Sequence, residues 1–457
     1  MTGLPILTAG EMRAAEAEAI AAGTSENALM ERAGTAAALA LRRFAGPAST
    51  LILAGPGNNG GDGYVIARKL AALGMDVRVA ASGPPKSKVA IAARRDYGGQ
   101  VAAIGAAEPM AILVDCLFGT GLARPLDASL SEALARLAAG AKVKVAVDLP
   151  SGVSADDGSL ISPVPAFDIT VTFGAFKPAH LLQPAAALMG RIILNDIGIA
   201  ATSRTSAIAR PRLAAPGPED HKYRRGMVLV AAGVMPGAAA LAADAALRAG
   251  AGYVWLAGDA PAAAAAIVRG EAGWRALLGD ERVGAVVIGP GLGRDNTTVA
   301  RLRAALRSKR PLVLDGDALA LLKRIGFKAL PDDVILTPHE GEFHALFGVT
   351  GGSKLERARD AAAQAGAVII YKGADTVVAA PDGRAAIAAP APHWLASAGT
   401  GDVLAGICGA MRAHGLAPFE AACAAVWLHG RAATLAGPWL IADDLVAALP
   451  DAMGECL

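Results

Sequence analysis

Thr50-Leu-Ile-Leu-Ala54-Gly55-Pro-Gly57-Asn58-Asn59-Gly60-Gly61-Asp62-Gly63 is the stretch that decides the fold. A short apolar run feeds a glycine-rich turn, and the turn opens a helical stretch. Glycines let backbone amides approach an anion closely, and a helix N-terminus favours negative charge. The stretch is neither a strict GxGxxG pattern nor a Walker A loop. Outward from it the same rhythm repeats. Apolar runs at 50–54, 76–80, 112–115, 144–148 and 169–173 each precede a glycine-bearing turn and a helical or loop segment. Such alternation predicts a parallel sheet covered on both faces.

Upstream, Thr8-Ala-Gly-Glu11 is a capping-box pattern before a helix reaching about residue 22, and a second helix is expected over 27–43. Downstream, the segment 200–225 carries Ser, Thr, Arg and Pro with no apolar period and reads as a linker. After Gly226 the rhythm restarts, with runs at 227–231, 253–257, 285–288, 312–315, 334–337, 368–371 and 376–380. The expectation is two three-layer α/β/α domains, residues 1–207 and 208–457. A chain of 457 residues exceeds the size of one ordinary core, which agrees.

Composition narrows the function. The chain is 54% hydrophobic but only 4% aromatic. Alanine and glycine supply much of the apolar count, so the mean hydropathy of +0.42 does not imply a membrane protein. Its longest uncharged stretch, 226–243, is broken by Pro236 and glycines. Glu11, Glu16 and Glu18 leave no apolar signal core near the N-terminus. A net charge of +2 without a basic run argues against nucleic acid or membrane partners. Cys116, Cys408, Cys423 and Cys456 form no CxxC pair, which argues against disulfides and structural zinc and fits a reducing cytoplasm. A cytoplasmic homo-oligomer is expected.

Two aspartates end strands of the first domain. Asp115 precedes Cys-Leu-Phe-Gly-Thr-Gly121, and Asp148 precedes Leu-Pro-Ser151-Gly-Val. Ligands of open α/β sheets bind at that edge. Either aspartate alone could simply cap its turn; together with Asn58, Asn59 and Asp62 they suggest one shared site. An Asn, an Asp and a Ser hydroxyl offer hard oxygen ligands for a hard cation.

These motifs, in order and followed by Thr170-Val-Thr-Phe-Gly-Ala-Phe-Lys177-Pro-Ala-His180, resemble the NAD(P)H-hydrate epimerase family over nearly all of residues 1–200. The resemblance implies a Rossmann-like domain in which Asn58, Asn59, Gly60, Gly61 and Asp62 hold a hydrated dinucleotide, NADHX or NADPHX. The loop of Gly119, Thr120, Gly121, Leu122, Ala123, Arg124 and Pro125 would share that task, and Asp148 would contact the substrate. It further implies a potassium ion on Asn59, Asp115 and Ser151. Epimerisation at C6 needs an acid/base group: Asp148 is the first candidate and Lys177 the second. Lys177 could equally be a solvated lysine that pairs with phosphate.

In the second half, Ala398-Gly399-Thr400-Gly401-Asp402-Val-Leu-Ala-Gly406 reads as a glycine turn entering a helix. Its amides would face the charge that develops in phosphoryl transfer, with Asp402 as base. The rival reading is an N-capping aspartate. Lys372-Gly373-Ala374-Asp375-Thr376 lies between two strands, where a nucleotide could be held. Gly289-Pro-Gly291-Leu-Gly293 and Thr337-Pro-His339-Glu-Gly-Glu342 follow other strands, and His339 alone would more often be a structural hydrogen-bonder. Leu314-Asp315-Gly-Asp317 is a further strand-end acid pair, in which Asp317 could merely cap a helix.

The order GPGLG, LDGDAL, TPHEGEF, KGADT, AGTGDVLAG resembles the ADP/ATP-dependent NAD(P)H-hydrate dehydratase family of the ribokinase-like superfamily, over about 215–450. His221-Lys-Tyr-Arg-Arg-Gly226, the stretch from Met235 and Trp427-Leu-His429-Gly agree. One departure is Gly233-Val234, where that family usually has Gly-Ser. The resemblance implies that Lys372, Gly373, Ala374, Asp375 and Thr376, with Gly399, Thr400 and Gly401, bind the adenine nucleotide. Ala238, Gly293, His339 and Asp402 would face the substrate, with Mg2+ and ADP as cofactors. The implied chemistry is S-hydrate dehydration at the expense of ADP, giving AMP and phosphate. The alternative is a ribokinase-like small-molecule or vitamin kinase with an N-terminal dinucleotide-binding module.

Overall fold

A computed structural model describes residues 3–261, 264–270, 272–349 and 351–457. The described residues divide into two compact units, Leu4–Ser203 and Arg204–Leu457, with Gly3 grouped with the second. The first sheet contains β1 (Thr50–Ala54), β2 (Val77–Ala81), β3 (Val101–Ala103), β4 (Ile112–Cys116), β5 (Val143–Val147), β6 (Ile169–Phe173) and β7 (Arg191–Asn195). All neighbours are parallel, in the order β3-β2-β1-β4-β5-β6-β7. Every residue of β1 is buried because both faces are covered. Ile52 and Ala54 join a cluster with Val65, Ile66 and Leu70, while Leu51 and Leu53 pack with Leu134 and Leu137. The helix Ala9–Ala21 begins at the Thr8–Glu11 capping box, both halves of which are formed.

Strand order reverses direction between β1 and β4. The crevice of an open α/β sheet lies outside the carboxyl ends at such a point. The Gly55–Gly57 turn into the helix at Asn58 leaves β1 there and Asp115 lies near the end of β4, so the topology brings the quoted stretch and the first aspartate to one place.

The second sheet contains β8 (Thr205–Ala207), β9 (Met227–Ala231), β10 (Tyr253–Ala257), β11 (Val283–Ile288), β12 (Leu312–Leu314), β13 (Val334–Leu336), β14 (Val368–Tyr371), β15 (Val377–Ala379) and β16 (Ala385–Ile387). Its order is β10-β9-β11-β12-β13-β14-β15-β16-β8. Here the reversal falls between β9 and β11, which places the loop after β9 beside Gly289–Gly293. The helices Pro236–Arg248, Thr400–Ala413, Pro418–Ala436 and Ala442–Gly454 share one core with strand residues such as Val228, Val230 and Val287.

Three expectations need correction. The sheet is not parallel throughout: β15 runs antiparallel to both β14 and β16. The link Lys372–Thr376 is too short for the crossover helix a parallel pair requires. The expected linker 200–225 contains β8, which pairs with β16 in the second sheet although the sequence reading ended the first domain at 207. Strands β3, β7 and β16 were also not foreseen. Such short or edge strands are specified by pairing rather than by apolar period.

Candidate active sites

In the first unit, Gly57 starts the helix Asn58–Ala72 without a side-chain cap, leaving its first amides facing the crevice. Two glycines are sterically required. A Cβ at Gly55 would lie 1.7 Å from the Leu117 carbonyl oxygen, and one at Gly60 would lie 1.9 Å from that of Gly55. Asn58 is exposed and Asn59 half-buried. Both polar ends of the Asn59 amide are inaccessible yet have no hydrogen-bond partner among the described residues.

Asp115 is fully buried. Its carboxylate accepts from Leu117 N at 3.0 Å, Ser151 N at 2.8 Å and Ser151 Oγ at 2.7 Å. Burial pushes its pKa up, against those bonds. Among the described residues no lysine or arginine pairs with it. Ser151 Oγ also accepts from Phe118 N at 2.9 Å. A buried carboxylate without a counter-charge, an unpartnered amide and a serine oxygen fit a hard cation by their chemistry.

Asp148 adopts φ 64°, a left-handed conformation that costs a non-glycine residue about 1–3 kcal/mol. Its Oδ1 accepts from Lys177 Nζ at 2.7 Å and Thr172 Oγ1 at 3.1 Å, and its Oδ2 from Thr120 N at 3.2 Å. Burial would raise its pKa, but the Lys177 charge and hydrogen bonds outweigh it and hold the carboxyl below its ordinary value. Lys177 is 1% exposed and also donates to Thr172 Oγ1 and the Phe173 carbonyl. The reading of Lys177 as a solvated phosphate partner is therefore overturned. Asp62 moves the opposite way: burial raises it strongly, and the negative charges of Asp148 and Glu16 add to that. Glu16 is raised for like reasons. In the 119–125 loop, Gly119 is buried, Thr120 and Leu122 are half-buried, and Gly121, Ala123, Arg124 and Pro125 are exposed.

Sequence reasoning missed Glu16, Thr172 and His180 as site residues. His180 stood inside a quoted motif, but nothing in its spacing showed that it is buried between two site residues.

In the second unit, Gly399 at φ 87° starts the helix Thr400–Ala413, so Asp402 is its third residue and not its cap. Asp402 is half-buried, and its pKa is raised to about 6 by burial and then by Asp315, with Lys372 opposing and Glu342 adding. Lys372 Nζ lies 2.7 Å from Asp315 Oδ1 and 3.9 Å from Glu342 Oε2. A Cβ on Gly401 would lie 3.3 Å from that same Nζ, so the cation stands beside the helix N-terminus. Asp315 is 3% exposed and also accepts from Thr337 Oγ1 at 2.6 Å.

A cleft of about 540 Å³ opens beside these groups. Its lining includes Lys372, Gly373, Ala374, Thr376, Thr400 and Gly401 from the foreseen set. Pro390, Leu395, Val426 and Arg431 were not foreseen, and His429 stood in a quoted motif without an assigned role. The Ala- and Pro-rich run 388–392, with Leu395, just before the glycine turn was the available signal for an apolar slot. Asp375 is held by Lys354 at 2.6 Å instead of lining the cleft. Thr376 Oγ1 closes the Lys372–Thr376 turn on the Gly373 carbonyl at 2.9 Å. His429 Nε2 meets the Thr400 carbonyl at 2.9 Å, and burial lowers its pKa to about 4. It is thus a neutral donor that braces the first turn of the helix.

His339 is exposed and caps the helix Glu340–Phe347, its Nδ1 accepting from Gly341 N at 3.0 Å. That is the structural role weighed above, and its Nε2 stands 3.6 Å from Glu342, the carboxylate near Lys372. Gly293 at φ 87° gives its N–H to Asp317 Oδ2 at 2.9 Å, so Asp317 ties down the glycine loop; Gly316 occupies the cap position instead. Ala238, half-buried, lies in the first turn of Pro236–Arg248, the helix whose Leu241 abuts Gly399.

Among the described residues no helix is long and apolar enough to cross a membrane. Two family profiles match the chain: "NAD(P)H-hydrate dehydratase" over residues 228–446 and "YjeF-related protein N-terminus" over residues 26–179. The bifunctional NAD(P)H-hydrate repair enzyme Nnr of Thermofilum pendens is 32% identical over 463 residues, covering 91% of this chain and 88% of its own. Its namesake in Mycobacterium tuberculosis (strain ATCC 25618 / H37Rv) is 35% identical over 433 residues, covering 90% and 89%. Among solved structures, the ADP/ATP-dependent NAD(P)H-hydrate dehydratase of Bacillus subtilis, co-crystallised with ATP/Mg2+, is 31% identical with a TM-score of 0.48, covering 54% of this chain and 95% of that one.

Proposed function

The chain belongs to the family of bifunctional NAD(P)H-hydrate repair enzymes, and from that premise we propose how its two sites divide the work. The first unit interconverts the R and S forms of NADHX and NADPHX. The second removes water from the S form, with ADP as phosphoryl donor.

The carrying observation is Asp402 in the first turn of a helix that starts on Gly399, with Lys372 beside it. A base with a pKa of about 6 is deprotonated at neutral pH yet still able to accept a proton. Asp402 takes the proton of the C6 hydroxyl as that oxygen attacks the terminal phosphorus of ADP. AMP leaves, and the amides opening the helix, with Lys372, face the transferring charge. The phosphate ester then breaks at C6, pushed by the ring nitrogen lone pair. The departing phosphate takes a C5 proton, which restores the dihydropyridine. The apolar cleft at Pro390, Leu395 and Val426 would take the nucleotide's base. Mg2+ on the nucleotide would supply further charge; it commonly needs only one or two carboxylates besides phosphates, and Glu342 is suitably placed.

In the first unit two carboxyls are pushed apart, which is how acid and base roles are divided. Asp62, raised, protonates the departing C6 hydroxyl, which leaves as water. Asp148, kept ionised by Lys177, stabilises the planar ring cation. Water returns to the other face and gives its proton to the ionised Asp148, and the reverse reaction runs the two carboxyl roles backwards. Asn59, Asp115 and Ser151 would hold a potassium ion that balances Asp115. A cytoplasmic location agrees with the free, buried cysteines, and the chain would work there as a homo-oligomer.

A kinase in the second unit would release a stable phosphorylated product. Two relatives that carry the repair name and align with 91% and 90% of this chain support dehydration instead. S-hydrate incubated with the chain and ADP or ATP should regain NADH absorbance; accumulation of a phosphorylated hydrate would refute the reading.

A further inference from the structure

We propose that His180 is a positioning residue of the first site, whose imidazole ties the backbones of Asp148 and Lys177 together and so sets where the Asp148 carboxylate stands. The proposal rests on the epimerase reading above.

The ring makes two hydrogen bonds. Its Nε2 meets the Asp148 carbonyl at 2.8 Å, and its Nδ1 meets Lys177 N at 2.8 Å. A carbonyl only accepts and a backbone N–H only donates, so the partners fix the tautomer: Nε2 carries the proton and Nδ1 accepts. The side chain is fully buried and packs edge-on against Phe176, with ring centroids 6.0 Å apart. Substrate cannot reach it, so it acts through its two neighbours. Lys177 and Asp148 are the charged groups that face it. Burial, reinforced by the Lys177 charge, holds its pKa at about 4, so the acceptor at Nδ1 persists through the neutral range.

Asp148 needs such a tie. A left-handed aspartate persists only where its surroundings over-determine it. Its N–H is spent on the Val171 carbonyl at 2.7 Å, and its own carbonyl on His180. Without the second bond the peptide is free to relax toward negative φ, carrying the carboxylate away from Thr120 N and from the reacting carbon.

Two substitutions separate positioning from bulk stability. In His180→Gln the amide nitrogen reaches the Nε2 position and can still donate to Asp148. In His180→Asn the amide oxygen replaces Nδ1, keeping the Lys177 bond and losing the Asp148 bond. Displacement of a reacting group by about 1 Å costs on the order of 100-fold, so His180→Asn should lose about that much kcat for R-to-S interconversion with little change in KM, while His180→Gln recovers to within about 10-fold. Equal activity in the two variants, or a loss confined to KM, overturns the proposal. So does unfolding of the first unit in both, read as lost hydrogen-exchange protection of β6. If the unsubstituted chain dehydrates S-hydrate yet never interconverts the epimers, the epimerase reading itself fails.

Discussion

Replacing Lys177 by methionine removes the counter-charge of Asp148 at nearly constant side-chain volume. The pair is close and largely buried: Nζ stands 2.7 Å from Oδ1, with 2% and 14% of the two side chains exposed. Removing one partner of a buried pair typically costs about 3–5 kcal/mol, because the other charge is left uncompensated. Asp148 keeps its bonds from Thr120 N and Thr172 Oγ1, which favours the lower end, about 3 kcal/mol. The penalty carries a pH signature. In the native chain the folded pKa of Asp148 is depressed, so its contribution is present above the unfolded carboxylate value and fades as pH falls through the folded one. Without Lys177 burial dominates and the folded pKa is raised. The variant's deficit is then full at pH 8 and relieved as pH falls through that raised value, with Asp62 and Glu16 shifting in the same sense. All five tryptophans lie at residues 255–439, so their fluorescence reads the second unit alone and serves as the control. The first unit is read by urea titration with pulse proteolysis, scored on its own fragments. A deficit below about 1 kcal/mol at pH 8, or one that does not shrink at pH 5, would refute the assignment of the pair as a buried, mutually dependent charge.

Three further outcomes are expected. The kcat/KM of dehydration should fall below about pH 6, because Asp402 must be ionised to act as base; a limb near pH 4 would remove it from that role. Gly60→Ala forces a Cβ to 1.9 Å from the Gly55 carbonyl oxygen and should destabilise the first unit by about 1–3 kcal/mol, measured by its urea midpoint; an unchanged midpoint contradicts the close approach. Exchanging K+ for tetramethylammonium should slow interconversion of the hydrates, and Asp115→Asn should erase that dependence; an unaltered cation response in the variant would remove Asp115 from the cation site.

The sequence showed most of what local pattern determines. Buried strands such as β1 and β9 read as continuous apolar runs, and the glycine turns after them marked both crevices. Strands β3, β7, β8 and β16 were invisible because pairing, not side-chain period, makes them. The antiparallel β15 was within reach of the sequence, since the runs at 368–371 and 376–380 leave no room for a crossover helix, but the strand–helix rhythm around them masked it. At the sites, residue identity was legible and burial was not. Asp148 could be singled out, but not its left-handed backbone. Lys177 could be proposed, but not that it is enclosed. His180 was the costliest omission, since its role exists only through two backbone contacts. Asp317 and Asp375 show the converse: acids in suggestive motifs whose carboxylates are already engaged, by Gly293 and Arg294 in one case and Lys354 in the other.

One measurement bears most directly on the bifunctional reading. A mixture of R and S NADHX is given to the intact chain with ADP, and recovery of NADH absorbance is followed beside release of AMP and phosphate. The intact chain should convert the whole mixture, with one AMP and one phosphate per NADH. Asp148→Asn should stop once the S fraction is consumed. No recovery, a phosphorylated hydrate that persists, or complete conversion by Asp148→Asn at the native rate would contradict the account.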